Sequence, residues 1–274
     1  MKDVEALGGY LRDHVKGWLL RSTVGIYTVD WFGAPSIVGS AVCLECTSGP
    51  ALITADHVLQ GNWKRGMFLR RSDDSLISLN RCRFASLQEH GLDLDLAVML
   101  LTPEIAAGMH PPTYWLGAEN ILDEDESLED RQLVVCGFPV ERFSWNPARR
   151  GGRVRSLMYT TGLYDNRRGA WEDDATFNQK YAIDLDFAPE GSVGITGAKH
   201  KHPTPKGLSG GGIWLLPPPG EGDFELKLVA IQHRWHRRLH ALRGTRIVGL
   251  TEEIEPVRRA AAPLDAEPRG RAAG

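Results

Sequence analysis

The chain has 274 residues and 42% of them are hydrophobic, which excludes global disorder and suits one large domain or two small ones sharing a cleft. Its formal net charge of −3 gives no whole-protein sign of nucleic-acid binding. The 30 glycines and 16 prolines suit many short strands joined by tight turns.

Residues 3–20 read as a helix, because Val4, Leu7, Leu11, Val15 and Leu19 recur at three- and four-residue steps and form one apolar face. In the same segment Arg12, Asp13, His14 and Lys16 interrupt the apolar residues, so it lacks the apolar centre of an export signal. No stretch reaches the length of a membrane span. The expectation is a cytoplasmic chain with no membrane contact.

After the helix the pattern changes to strands, near 22–29, 37–47, 50–55, 66–71, 76–87 and 94–101. Cys43 and Cys46 lie in the second of these with C-x-x-C spacing. Three residues apart in a strand they point to opposite faces, and no second pair completes a zinc site. They read as buried thiols in a reduced chain, and no metal or other cofactor is expected. The acidic run "DEDESLED" at 123–130 reads as a solvated linker. Strands resume near 132–138, 153–161, 180–187, 210–216, 226–234 and 245–251, and residues 256–274 read as a flexible tail. The linker divides the strands into two groups of similar size, 21–122 and 123–255. The fold class is therefore all-β, as two antiparallel β-barrels with a cleft between them or as one large sandwich.

"KGLSGGGIW" at 206–214 places Ser209 among four glycines, where backbone must turn sharply or approach something closely. A serine hydroxyl becomes a nucleophile only with a histidine to take its proton and, usually, a carboxylate to orient that histidine. "LITADHVL" at 52–59 places His57 just past an apolar strand. "LDLDLAVML" at 92–100 places Asp93 and Asp95 at the entry of another, and carboxylates entering a core strand call for partners.

"TADHV", "DLAVM" and "GLSGGG", in that order, resemble the three signature segments of the chymotrypsin-like (trypsin-like) serine peptidases. "VVCGFP" at 134–139 and "LVAIQHRW" at 228–235 resemble further segments of their second barrel, so the likeness spans about 22–251. It implies two β-barrels, with Ser209 as nucleophile, His57 as general base and Asp95 as the acid that orients it. Asp95 is preferred to Asp93 because it directly precedes "LAV". The backbone N–H groups of Gly207 and Ser209 are implied as an oxyanion hole. The activity implied is that of a serine endopeptidase acting on polypeptides. An inactive peptide-binding relative and an esterase with the same three residues are the alternatives.

Departures from the family pattern also carry information. Leu208 stands where many members have the aspartate that pairs with a freed N-terminus, and Val58 where secreted members often have a disulfide cysteine. Both resemble bacterial and intracellular branches. Pro203 occupies the place of the aspartate that selects basic residues in trypsins, so an arginine or lysine preference has no support. The second wall of the substrate pocket is implied at His233, or at Gln232 if the comparison slips by one residue. A histidine there resembles glutamate-selective bacterial members, against a small apolar or extended-site preference. The basic–aromatic run at 233–246 reads as a hairpin between the last strands rather than a nucleic-acid or metal site. The helix at 3–20 lies outside the resemblance and is expected either to cap a barrel or to dock a regulatory partner.

Overall fold

Two antiparallel sheets, each curled into a half-barrel, make up the body of the chain in a computed structural model. It describes residues 15–46, 49–87, 94–109, 113–124, 126–146, 151–164, 181–188, 192–193, 199–200, 202–216 and 226–247. The first sheet holds β1 (Thr23–Val29), β2 (Pro35–Cys46), β3 (Gly49–Thr54), β4 (Phe68–Arg70), β5 (Leu76–Ser78), β6 (Arg83–Ser86) and β7 (Ala97–Leu100). Their spatial order is β5-β4-β1-β2-β3-β7-β6. β8 (Leu133–Gly137) opens the second sheet, and the two-stranded hairpin of β9 (Phe143–Asn146) and β10 (Gly151–Val154) stands beside it. β11 (Leu157–Thr161) and β12 (Ala182–Asp186) follow, then the short pair β13 (Ser192–Val193) and β14 (Lys199–His200). With β15 (Gly212–Leu215), β16 (Lys227–His236) and β17 (Ala241–Arg246), the second sheet runs β11-β8-β15-β16-β17-β12.

Side-chain alternation in these strands feeds three cores. Ala41 and Cys43 of β2 point into the first half-barrel with Leu52, Leu59 and Met99. Leu133, Val135, Leu185, Ile213 and Val229 fill the second. Val42 and Leu44, on the other face of β2, meet Val134, Trp214, Leu228 and Ile231 across the boundary between the sheets. β2 is thus buried on both faces, which fixes its register and locks the half-barrels together. Cys46 packs against the boundary core and Cys43 lies in the first, and none of the four cysteines forms a disulfide.

Of the expected N-terminal segment, Lys16–Ser22 is a helix, and residues 3–14 lie outside the described residues. The helix enters the boundary core with Val15 and Leu19 fully buried. Trp18 sets its ring edge-on to Trp214 at 5.3 Å and tilted to Tyr114 at 5.0 Å. No helix among the described residues is long and apolar enough to cross a membrane.

Several boundaries differ from the sequence reading. The stretch 76–87 is two strands, divided by a turn in which Cys82 N–H donates to the Leu79 carbonyl. A seven-residue helix, Asp56–Asn62, follows β3 where none was expected. The acidic run is not wholly solvated, because Leu128 is buried in the second core. The last strand begins at Ala241 rather than 245, because Arg243 is buried in it. Its Nε donates to Asp184 Oδ1 at 2.9 Å and its second guanidinium nitrogen to Oδ2 at 3.2 Å, across the β12–β17 pair. An arginine inside a sheet breaks the apolar pattern that marks strands, and pairing with a carboxylate helps to make the burial tolerable.

Candidate active site

The β3–β7 register brings His57 and Asp95 together. Thr54 lies opposite Ala97 in this antiparallel pair. His57 is three residues beyond the end of β3 and Asp95 two residues before β7, so both emerge at one end of the same two strands. The Asp95 carboxylate then takes two bonds from one residue: Oδ1 accepts the His57 backbone N–H at 3.0 Å, and Oδ2 accepts from Nδ1 at 2.7 Å. A carboxylate acceptor requires the proton on Nδ1, which leaves the Nε2 lone pair pointing away from Asp95. The imidazole is half exposed, so that nitrogen can meet an incoming group. Asp93 lies outside the described residues.

A second imidazole touches the same carboxylate. His233 Nδ1 lies 3.5 Å from Asp95 Oδ2, and its side chain is only 8% exposed. Burial alone would raise the pKa of Asp95. The contacts from His233 and from His57, with their charges, outweigh burial and hold the carboxyl well below the usual carboxylate range.

The Ser209 loop is fastened to the first half-barrel through Ser40 of β2. Ser40 N–H donates to the Ser209 carbonyl at 2.7 Å. Its hydroxyl donates to the Gly207 carbonyl at 2.8 Å and accepts the Phe138 N–H at 2.9 Å. Its carbonyl accepts from the Thr54 hydroxyl at 2.6 Å. Gly210 has φ +89°, and a side chain there would collide with the Ser40 carbonyl and the Thr54 hydroxyl. Gly207 has φ +93° and sits against the Phe138 carbonyl. These two glycines are required by backbone conformation and close approach together.

Around this loop the backbone bonds follow a pattern. The carbonyls of Pro205, Lys206, Gly207, Leu208 and Ser209 all accept hydrogen bonds, and the N–H groups of Leu208, Gly210 and Gly211 all donate. The N–H groups of Gly207 and Ser209 donate to nothing among the described residues. Two open donors on the loop that carries a serine hydroxyl are groups that could receive negative charge on an oxygen atom. The Ser209 hydroxyl itself donates a long bond, 3.4 Å, to the carbonyl of His233. His233 therefore meets Asp95 through its ring and Ser209 through its backbone.

Gln232 is buried; its N–H donates to Gly211 and its carbonyl accepts from Gly210. Its side-chain amide nitrogen donates to the Arg234 carbonyl at 3.0 Å, and Oε1 is buried with no partner among the described residues. Pro203 is also buried, beside Thr204, whose hydroxyl donates to Glu141 at 2.7 Å. No cluster of three His, Cys, Asp or Glu side chains that could hold a metal occurs among the described residues.

A solved structure with a similar fold is that of a scabies mite inactivated protease paralogue, which aligns with a TM-score of 0.54 over 89% of this chain and 96% of that one, at 10% identity. The fold is chymotrypsin-like. The protease of tobacco vein mottling virus aligns more loosely, with a TM-score of 0.44 over 82% of this chain and 76% of that one, at 8% identity. No family model and no curated protein matches the sequence. Within this chymotrypsin-like fold Leu208 is fully buried in the second core, so apolar packing anchors the serine loop from below. Val58 packs on the backbone at Gly39, where the Ser209 carbonyl also approaches.

Ser40 and the contact of His233 with Asp95 were missed in the sequence reading. Ser40 left one faint trace, a Gly-Ser pair inside the apolar strand "IVGSAV". His233 left none beyond its place in the strand after the serine.

Proposed function

We propose that the protein is a serine endopeptidase that forms an acyl-enzyme on Ser209. The observation that carries this reading is the pairing of His57 with Asp95 through two hydrogen bonds, beside a serine loop with two open N–H groups. In the reaction the Ser209 hydroxyl rotates from the His233 carbonyl toward His57. Nε2 takes its proton as Oγ bonds to the peptide carbonyl carbon. The charge on the carbonyl oxygen is met by the Gly207 and Ser209 N–H groups. The C–N bond then breaks, His57 passes its proton to the leaving amine, and water releases the acyl group by the same steps in reverse. Asp95 stays ionised throughout and stabilises the charged imidazole. Pro203 offers no carboxylate for a basic substrate side chain, so a preference for arginine or lysine has no support.

A second reading, a peptide-binding module, is favoured by the Ser209 hydroxyl bonding the His233 carbonyl in this structure. A fluorophosphonate probe separates the two. The peptidase is labelled on Ser209, as mass spectrometry reads, and Ser209→Ala abolishes labelling and lowers casein turnover by about a thousandfold or more. An unlabelled, folded protein that turns over no casein fits the binding module and refutes the peptidase.

A further inference from the structure

Trp31 and Phe32 stand side by side at the tip of the β1–β2 hairpin and are almost fully exposed, at 101% and 95%. The tip is not slack. Asp30 Oδ1 accepts the N–H groups of Phe32 at 2.9 Å and Ala34 at 2.8 Å. Asp30 N–H donates to the Ala34 carbonyl and Gly33 N–H to the Asp30 carbonyl, each at 3.0 Å. Gly33 takes φ +76°, which closes the turn. Beneath it, Tyr27 and Ile37 pack with Phe138, and Phe143 sets its ring edge-on to Tyr27 at 5.8 Å. This base of aromatic and aliphatic groups holds the hairpin, yet Trp31 and Phe32 stay off it in water. Leaving such side chains exposed forgoes about 2–3 kcal/mol each relative to burial. A rigid turn that presents them has already met the ordering cost of binding.

We propose that Trp31 and Phe32 form a docking point for the polypeptide substrate, gripping an apolar stretch outside the cleft. This rests on the peptidase reading. The occupant follows from where the hairpin leads. β2 runs from the tip at Pro35 to Gly39 and Ser40, which lie against the Ser209 carbonyl. At about 3.3 Å per residue the strand from Pro35 to Gly39 spans about 13 Å, so a chain bound at Ser209 needs several extended residues to reach the tip. Other occupants fit less well. The two side chains offer about 400 Å², and a symmetric pair of tips about 800 Å² in total, short of the roughly 1,200 Å² of a stable dimer. The acidic Asp30 at the turn opposes an anionic membrane, and two aromatic side chains alone lack the second signal that stable lipid anchoring needs. A substrate already held in the cleft needs no self-sufficient interface, because the second contact is made at high effective concentration.

The test uses Trp31→Ser with Phe32→Ser in the full chain, after thermal melting shows the fold intact. In the Ser209→Ala background, a fluorescent, reduced and carboxymethylated polypeptide should bind at least tenfold more weakly once the tip is changed, as anisotropy reads. With Ser209 present, kcat/KM on that polypeptide should fall at least tenfold, mainly through KM, while a single-residue ester is hydrolysed within twofold of the unchanged protein. Equal polypeptide affinities overturn the proposal, as does an equal loss on both substrates. Loss of binding to neutral phosphatidylcholine vesicles or loss of a dimer in sedimentation, with polypeptide binding unchanged, also overturns it. If the unchanged protein hydrolyses neither substrate, the peptidase reading fails and the binding measurement alone decides the docking point.

Discussion

Ser40→Ala removes one oxygen atom and leaves two buried backbone groups without partners. The hydroxyl bonds the Gly207 carbonyl at 2.8 Å and the Phe138 N–H at 2.9 Å, and the residue is fully buried. A buried donor or acceptor left unsatisfied costs about 1–3 kcal/mol, so the pair costs about 2–6 kcal/mol. The methyl side chain fits the site, so overpacking adds nothing. The remaining Ser40 bonds, from its N–H to Ser209 and from Thr54 to its carbonyl, use the backbone and survive. The expected result is a protein that folds, with urea denaturation giving a loss of about 2–6 kcal/mol. Turnover by the folded fraction should also fall, because the Gly207 peptide loses the bond that orients the loop between Gly207 and Ser209. Ser72→Ala, at an exposed turn, serves as the control and should stay within about 0.5 kcal/mol. A loss below about 0.5 kcal/mol for Ser40→Ala, with turnover unchanged, would refute the role assigned to its hydroxyl.

Asp95→Asn should lose stability in a pH-dependent way. A carboxyl held below its unfolded pKa of about 3.9 adds stability above that value and loses it as pH falls through the lowered folded pKa. The stability gap between the unchanged protein and Asp95→Asn is therefore full at pH 5 and shrinks as pH falls below about 4, as urea denaturation at each pH reads. A gap that stays constant from pH 5 to 3 contradicts the depressed pKa. Leu19→Ala, in the helix between the sheets, should cost about 2–5 kcal/mol with turnover per folded molecule unchanged. A cost below about 1 kcal/mol would mean that the helix is merely appended to the boundary core.

Much of this molecule is legible residue by residue. Apolar β-branched runs mark strands, because such side chains fit a pleated, half-buried surface. "VGIYTV" and "LVVCG" needed no partner to be recognised, and they are β1 and β8 residues in the structure. Positive φ at Gly207 and Gly210 is written locally, since few other residues adopt it. His57, Asp95 and Ser209 each stand in a recognisable local setting. Strand ends were less legible where long-range pairs decide them. Arg243 disguises β17, and Asp184, 59 residues earlier, helps to make its burial there tolerable. The short helix Asp56–Asn62 was hidden because its apolar residues, Val58 and Leu59, span too few turns to show a period.

The sequence alone determined which segments could be strands, where the chain must turn on glycine, and which side chains bear reactive groups. These are local properties, set by sterics and by the chemistry of single residues. Only the tertiary structure decided which groups meet. The β3–β7 register joins His57 to Asp95, β16 brings His233 to the same carboxylate, and the Ser40 hydroxyl ties β2 to a loop 167 residues away. A serine in an apolar strand looks alike whether it faces water or holds two peptide groups. The difference lies in the partners that the folded chain brings within about 3 Å of its oxygen.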